Sequence, residues 1–260
     1  MNANVGGIVP LSTVDWHGKS SVAVFLNGCP FRCGYCHNYD LLTKSNPIDL
    51  ESVKKRIMES KPFVSAVVFL GGEPLAQDGA VEELAAFAKE NGLKTGIHTN
   101  GYYPKTVSSL IEKNLADKFF IDIKAPFENE IYQKTVGVQL EDMIERIQRT
   151  IHIADESPAE LEIKTTVFPE IIGTKGQVAD ISKWMNQNIR RKSKLTYVLQ
   201  QGNGRSSNDP VFQKMTFLSP DEMDELAQIA LENLKNAAVI TQTEENGRVV
   251  KTNICGNERL

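Results

Sequence analysis

The chain has 260 residues, 41% of them hydrophobic and 24% charged, with a formal net charge of −4. That length permits a substantial core in one or two domains, and the absence of a basic excess argues against a duplex nucleic-acid partner. No run approaches the ~18 apolar residues of a membrane span, and Met1–Pro10 lacks the basic start and apolar stretch of a signal peptide, so a cytoplasmic protein with reduced thiols is expected.

The first predicted strand, Val22–Leu26, runs into the cysteine segment Asn27-Gly-Cys29-Pro-Phe-Arg-Cys33-Gly-Tyr35-Cys36-His37-Asn38. Asp49 then caps a helix with Leu50, Val53 and Ile57 on one face. Ala66–Leu70 is continuously apolar, as parallel strands covered on both faces are, and Gly71-Gly72-Glu73-Pro74 follows it. Val81, Leu84, Ala85 and Ala88 form the next helical stripe, stopped by Asn91-Gly92. Leu93–His98 leads into Thr99-Asn100-Gly101, and Phe119–Ile123 carries Asp122 and Lys124 at its end. Leu161–Val167 is followed by Phe168-Pro169, and Leu195–Leu199 by Gln200-Gln201-Gly202-Asn203. The basic run Arg190–Lys194 reads as a solvated loop before that strand. Ser219-Pro-Asp-Glu222 is a capping box ahead of Leu226, Ala230 and Leu234. Ala237–Ile240 is the last strand, with an Asn246-Gly247 hairpin signal in the tail.

Strands alternating with helices imply parallel βα units with right-handed crossovers. Six units and a terminal strand are too few for an eight-unit barrel, so an α/β fold with a partial, laterally open (β/α)6 barrel is expected, a doubly wound sheet being the alternative. No repeat or linker divides the chain, which reads as one domain over 1–260 with its core at about 20–241. In such folds chemistry collects at the carboxyl ends of strands, and the unusual residues above occupy those ends one after another.

Three thiolates, Cys29, Cys33 and Cys36, can hold three irons of a four-iron cluster, whereas a fourth would close it as an electron carrier. The remaining cysteine, Cys255, lies in a polar tail and reads as a bystander, so one iron stays open for a non-protein ligand. An open cluster iron is what reductive chemistry on S-adenosylmethionine requires. A zinc site using His37 is the rival, weakened because adjacent side chains rarely converge on one ion; a disulfide framework does not suit a chain of this length. Gly71 and Gly72 would let backbone approach a ligand without a Cβ in the way, though such a pair also makes tight turns. Glu73 offers an acceptor for an ammonium group. Asp122 and Lys124 share one face of a strand, as a surface ion pair or as ligand-binding charges. Tyr35 offers either packing over a cluster or a flat surface for an adenine ring.

The spacing Cys29-x-x-x-Cys33-x-Tyr35-Cys36, followed by Gly71-Gly72-Glu73-Pro74, resembles the radical S-adenosylmethionine superfamily, built on a partial (β/α)6 barrel. The longer string through His37-Asn38, with Thr13-x-Asp15-x-x-Gly18-Lys19 and Ile121-Asp-Ile-Lys124, is similar to the glycyl-radical-enzyme activases. Within them it is most similar to the anaerobic ribonucleotide reductase activating group, over residues 6–205. The resemblance implies a [4Fe-4S] cluster on the three cysteines, the open iron chelated by the methionine end of S-adenosylmethionine. It implies backbone at Tyr35, Cys36 and His37 against adenine, with Gly71, Gly72 and Glu73 at the amino group. Thr99, Asn100, Asp122 and Lys124 would line the rest, with Gln200 as a further candidate where family members place a histidine. His98 stands where activases often carry an aspartate that helps hold a monovalent cation.

By the same resemblance, an electron from reduced flavodoxin or ferredoxin would cleave S-adenosylmethionine to a 5′-deoxyadenosyl radical. That radical would take hydrogen from the glycine of a partner glycyl radical enzyme. A small-molecule or tRNA-base substrate is the enzymatic alternative, and a non-catalytic iron–sulfur or metal-binding protein the alternative of another class.

Overall fold

The computed structural model describes residues 1–169 and 171–251, the side chain of residue 192 apart. The strands are β1 (Asn2–Ser12), β2 (Ser21–Leu26), β3 (Pro47–Asp49), β4 (Ala66–Gly71), β5 (Lys94–Thr99), β6 (Lys118–Asp122), β7 (Glu160–Val167), β8 (Leu195–Gln201), β9 (Ala238–Thr243) and β10 (Gly247–Lys251). The helices are α1 (Leu50–Ser60), α2 (Asp78–Glu90), α3 (Pro104–Glu112), α4 (Asn129–Val136), α5 (Met143–Glu156), α6 (Lys175–Asn188), α7 (Pro210–Gln213) and α8 (Pro220–Asn233). They form two compact units that interleave along the sequence. One takes residues 1–32, 38–121 and 145–160; the other takes 33–37, 122–144 and the described residues from 161 onward.

In the first unit β2, β4, β5 and β6 are parallel neighbours in that order. Their apolar runs are covered on both faces, as the composition of Ala66–Leu70 predicted. Val22, Val24, Val67 and Phe69 are fully buried, while Ala23, Ala66, Val68, Leu70 and Phe120 pack with Trp16 on the other face. The stripes foreseen for α1 and α2 are the buried faces of those helices. One strand is new. β1 runs antiparallel to both β2 and β3, and its pairing with β2 slips between Val5 and Gly7 and again between Val9 and Ser12. Those irregularities fall at Gly6 and Pro10, residues that weaken a strand pattern and are tolerated at bulges, which is why local sequence did not disclose it.

In the second unit β7, β8 and β9 are parallel, and β10 returns antiparallel through the hairpin expected at Asn246-Gly247. Val178, Ile181 and Met185 of α6, with Met223, Leu226 and Ala230 of α8, are buried with Ile163, Tyr197, Leu199 and Val239 of the strands. Both helices open with complete capping boxes, at Thr174 with Gln177 and at Ser219 with Glu222. The α/β class and the parallel βα units are therefore as expected. Among the described residues no helix is long and apolar enough to cross a membrane. Cys255 lies outside the described residues.

Candidate active site

Parallel strands within one unit end on the same side, so in the first unit the loops after β2, β4 and β5 meet. The loop leaving β4 is laced by backbone to the loop leaving β2: Gly72 N–H donates to Leu26 O at 2.9 Å and Glu73 N–H to Gly28 O at 2.7 Å. Asn38 holds the same turn by donating from Nδ2 to Gly71 O at 3.1 Å. Gly71 has φ of +121°, and a Cβ there would come within 2.5 Å of Leu26 O. A Cβ at Gly72 would collide with the Gly28 carbonyl. The space that sequence reading reserved for a ligand is thus filled, at these two Cβ positions, by the chain's own backbone.

Glu73 is fully buried. Its Oε1 accepts from Leu75 N–H at 3.0 Å and from the Thr99 hydroxyl at 2.9 Å, and its Oε2 from Asn100 N–H at 2.7 Å. Asn100 turns its own side chain the other way: Oδ1 accepts from Tyr102 N–H at 2.9 Å and Nδ2 lies 3.7 Å from Cys29 Sγ. Cys29, Gly71, Gly72, Glu73, Thr99 and Asn100 are therefore gathered as the motifs suggested. Tyr102 and Tyr103 were not foreseen. The Arg146 guanidinium lies 4.8 Å from the Tyr102 ring centre, and burial, then the Glu73 and Cys29 charges, push the Tyr103 hydroxyl up to about 12. His98 stacks on Phe120 at 4.1 Å and its Nε2 donates to Asp15 O at 2.8 Å.

The second unit holds Cys33, Tyr35, Cys36 and His37. Cys36 N–H donates to Cys33 O at 3.1 Å, closing a turn. Burial pushes the Cys33 thiol up, against the opposing pull of the Lys124 ammonium. Lys124 Nζ donates to Asp122 Oδ2 at 2.9 Å and sits 5.9 Å from the centre of the Tyr35 ring. Burial would lower its pKa, but the Asp122 carboxylate and the Tyr35 and Cys33 groups outweigh that and hold it well above the usual lysine range. The Tyr35 hydroxyl is buried with no partner of proper hydrogen-bond geometry, although it lies close enough to Cys33 to draw its thiol down.

Two residues here carried no sequence signal. The Tyr132 hydroxyl accepts from Lys124 N–H at 3.2 Å, and Phe212 packs against Tyr35 at 5.7 Å and against Phe168 at 5.1 Å. The 202–213 segment also grips the cysteine turn through polar contacts. The Ser207 hydroxyl donates to Gly34 O and the His37 ring bonds through Nε2 to Asn203 O. A carbonyl only accepts, so Nε2 is the protonated nitrogen of His37. Gln200 lies within β8 with Thr166 and Gln242 as its cross-strand partners, while Gln201 is the one tied to loops, to Leu218 O and Glu244 N.

Cys29, Cys33 and Cys36 are not joined in disulfides. Among the described residues no three His, Cys, Asp or Glu side chains converge to hold a single metal ion. A cluster asks for a different arrangement, one thiolate per iron. Soft sulfur donors and a side-chain amide N–H facing the Cys29 sulfur suit an iron–sulfur group, so the residues fit.

Residues 23–160 match the family model for the radical SAM superfamily. The chain belongs to that superfamily. A Methanocaldococcus jannaschii protein named as a glycyl-radical enzyme activating enzyme is 32% identical over 244 residues, covering 93% of this chain and 97% of that one. The pyruvate formate-lyase-activating enzyme of Clostridium pasteurianum is 32% identical over 126 residues, covering 46% of this chain and 52% of that one. Among solved structures, that of QueE from Escherichia coli superposes with a TM-score of 0.54 at 18% identity, covering 94% of this chain and 95% of that one, a likeness of fold. As a radical SAM enzyme the protein uses a [4Fe-4S] cluster and S-adenosylmethionine.

Proposed function

We propose that this radical SAM enzyme activates a glycyl radical enzyme, generating the radical on a backbone glycine of that partner. The reading is carried by the near full-length relative from Methanocaldococcus jannaschii that bears the activating-enzyme name. When bound, the cluster and S-adenosylmethionine would supply one-electron reductive chemistry able to remove a hydrogen atom from the partner's glycine. Reduced flavodoxin or ferredoxin supplies the electron, in a cytoplasm where the three cysteines stay as thiols.

Cys29, Cys33 and Cys36 would hold the irons. Tyr35, Cys36 and His37 present backbone to adenine, on a turn that Ser207 and Asn203 keep in place. Gly71 to Glu73, with Thr99 and Asn100, form the wall at the amino group, where Glu73 fixes the end of β5 and its loop by two hydrogen bonds. Lys124 carries three donors, one of them given to Asp122, and offers the rest of its charge to the cofactor carboxylate. Gln200 is the least supported of the group, since its placement in β8 adds nothing to its case.

Lys124→Met is expected to reduce S-adenosylmethionine affinity about tenfold, equivalent to ~1.4 kcal/mol, with iron content unchanged. Asp122 is partly exposed and can turn to water once the ammonium is gone, which spares the fold. The change a cofactor makes to the paramagnetic spectrum of the reduced cluster measures this; unaltered binding removes Lys124 from the site.

The substrate is tested by mixing the reduced protein, S-adenosylmethionine and the host's glycyl radical enzymes without oxygen. A glycine-centred doublet is expected with one of them, and it should disappear in Cys36→Ala. Cofactor cleavage without a doublet on any of them would turn the reading to a small-molecule or tRNA-base substrate.

A further inference from the structure

We propose that Asn100 is a positioning residue that donates a hydrogen bond from its side-chain amide to the Cys29 thiolate and so raises the reduction potential of the cluster. The proposal rests on the reading that Cys29 holds an iron.

Asn100 Nδ2 lies 3.7 Å from Cys29 Sγ, within reach for a donor facing a large sulfur atom. Oxygen and nitrogen of an amide are easily exchanged in a structure, but here chemistry decides between them. The other end of the amide faces the Tyr102 N–H at 2.9 Å, which only an acceptor can satisfy, so the NH₂ must face the sulfur. Backbone anchors prevent the side chain from swinging away. Asn100 N–H is held by Glu73 Oε2, the adjoining Thr99 hydroxyl by Glu73 Oε1, and Gly101 N–H by the Thr99 hydroxyl at 3.0 Å. Asn100 is buried, so water competes little for its donor, and a buried NH₂ without a partner would carry a desolvation penalty.

On reduction one electron passes from the protein donor to the cluster, whose net charge falls by one, and no proton moves and no bond breaks. The added negative charge spreads onto the thiolate sulfurs, so an N–H dipole aimed at one of them binds the reduced state more strongly. Hydrogen bonds to sulfur are among the factors that set such potentials. Asn100 thereby makes the cluster easier to reduce.

Two variants separate this role from a purely structural one. Asn100→Ser keeps a neutral acceptor for the Tyr102 N–H but is too short to reach Cys29. Asn100→Asp keeps the full-length acceptor and puts oxygen where the NH₂ stood. Both are expected to load the cluster and to shift its midpoint to more negative potential in a spectroscopically monitored redox titration. The expected size is a tenfold change in the reduction equilibrium, or about 59 mV for one electron, larger for Asn100→Asp than for Asn100→Ser. In the unaltered protein labelled with ¹⁵N-asparagine, the reduced cluster should show hyperfine coupling to an asparagine nitrogen that is absent in Asn100→Ser. Unchanged midpoints in the loaded variants overturn the proposal, as does absence of the coupling, which decides the matter even where a variant fails to fold. Unaltered protein that binds no cluster would instead overturn the functional reading, and this proposal with it.

Discussion

Cys33→Ala protein, reconstituted without oxygen, is expected to hold no four-iron cluster and to lose S-adenosylmethionine cleavage entirely. With two motif cysteines left, the remaining thiolates cannot hold three irons, and Cys255 lies in a tail separated from them by most of the chain. The loss would not come from unfolding. Cys33 is a small buried side chain, 7% exposed, and trimming one sulfur from such a place costs on the order of 1 kcal/mol. Iron content and the paramagnetic spectrum measure the effect, with circular dichroism reporting the fold. Cys29→Ala and Cys36→Ala should behave alike, and Cys255→Ala should keep its cluster. Loss of the cluster in Cys255→Ala as well would end the case for an open iron.

Gly72→Ala is expected to destabilise the protein and to lower its iron content together. The added methyl meets the Gly28 carbonyl, a backbone atom that cannot rotate aside, one residue before Cys29. Overpacking of this kind costs about 1–3 kcal/mol, occasionally more, and each kcal/mol lowers Tm by roughly 2–4 °C in a chain of this size. Because Glu73 N–H is bonded to the same Gly28 carbonyl, relief of the clash must pull the β2 and β4 loops apart and carry Cys29 with them. A larger side chain here is thus a poor probe of cofactor access alone, since the cluster loop moves first. Gly176→Ala is the matched control. Gly176 lies in the first turn of α6, and a Cβ there meets nothing within 4 Å, so alanine should stabilise by about 0.5–1 kcal/mol. Calorimetry with iron analysis on both variants tests the contrast; equal Tm values would show that the β2 and β4 loops yield freely.

The positions of the parallel strands were legible from residue type where a strand buries both faces. Runs such as Ala66–Leu70 have few alternatives to being strands in a covered sheet, and their ends then locate the loops that carry chemistry. Cys29, Cys33 and Cys36 were legible for a different reason, since three thiols at close spacing have few roles and their ligand chemistry is local. β1 was not legible, because Gly6 and Pro10 disrupt the alternation that marks a strand while pairing with β2 and β3 restores it.

What the tertiary structure alone decided are the contacts between segments far apart in the chain. Glu73 reads in the sequence as an acceptor for an ammonium group, and the fold buries it and gives its oxygens to the end of β5 and its loop. Gly72 reads as room for a ligand and is where two backbones touch. The arrival of Tyr132 at Lys124, of Phe212 at Tyr35 and of the Asn100 amide at Cys29 leaves no trace in the neighbouring residues. Hydrogen bonding and packing depend on distance and direction in space, and a sequence records only which groups are available to meet. The chemistry that this protein can perform was therefore written in its residue types and their spacing, while the partners that hold those residues in place followed only from the folded chain.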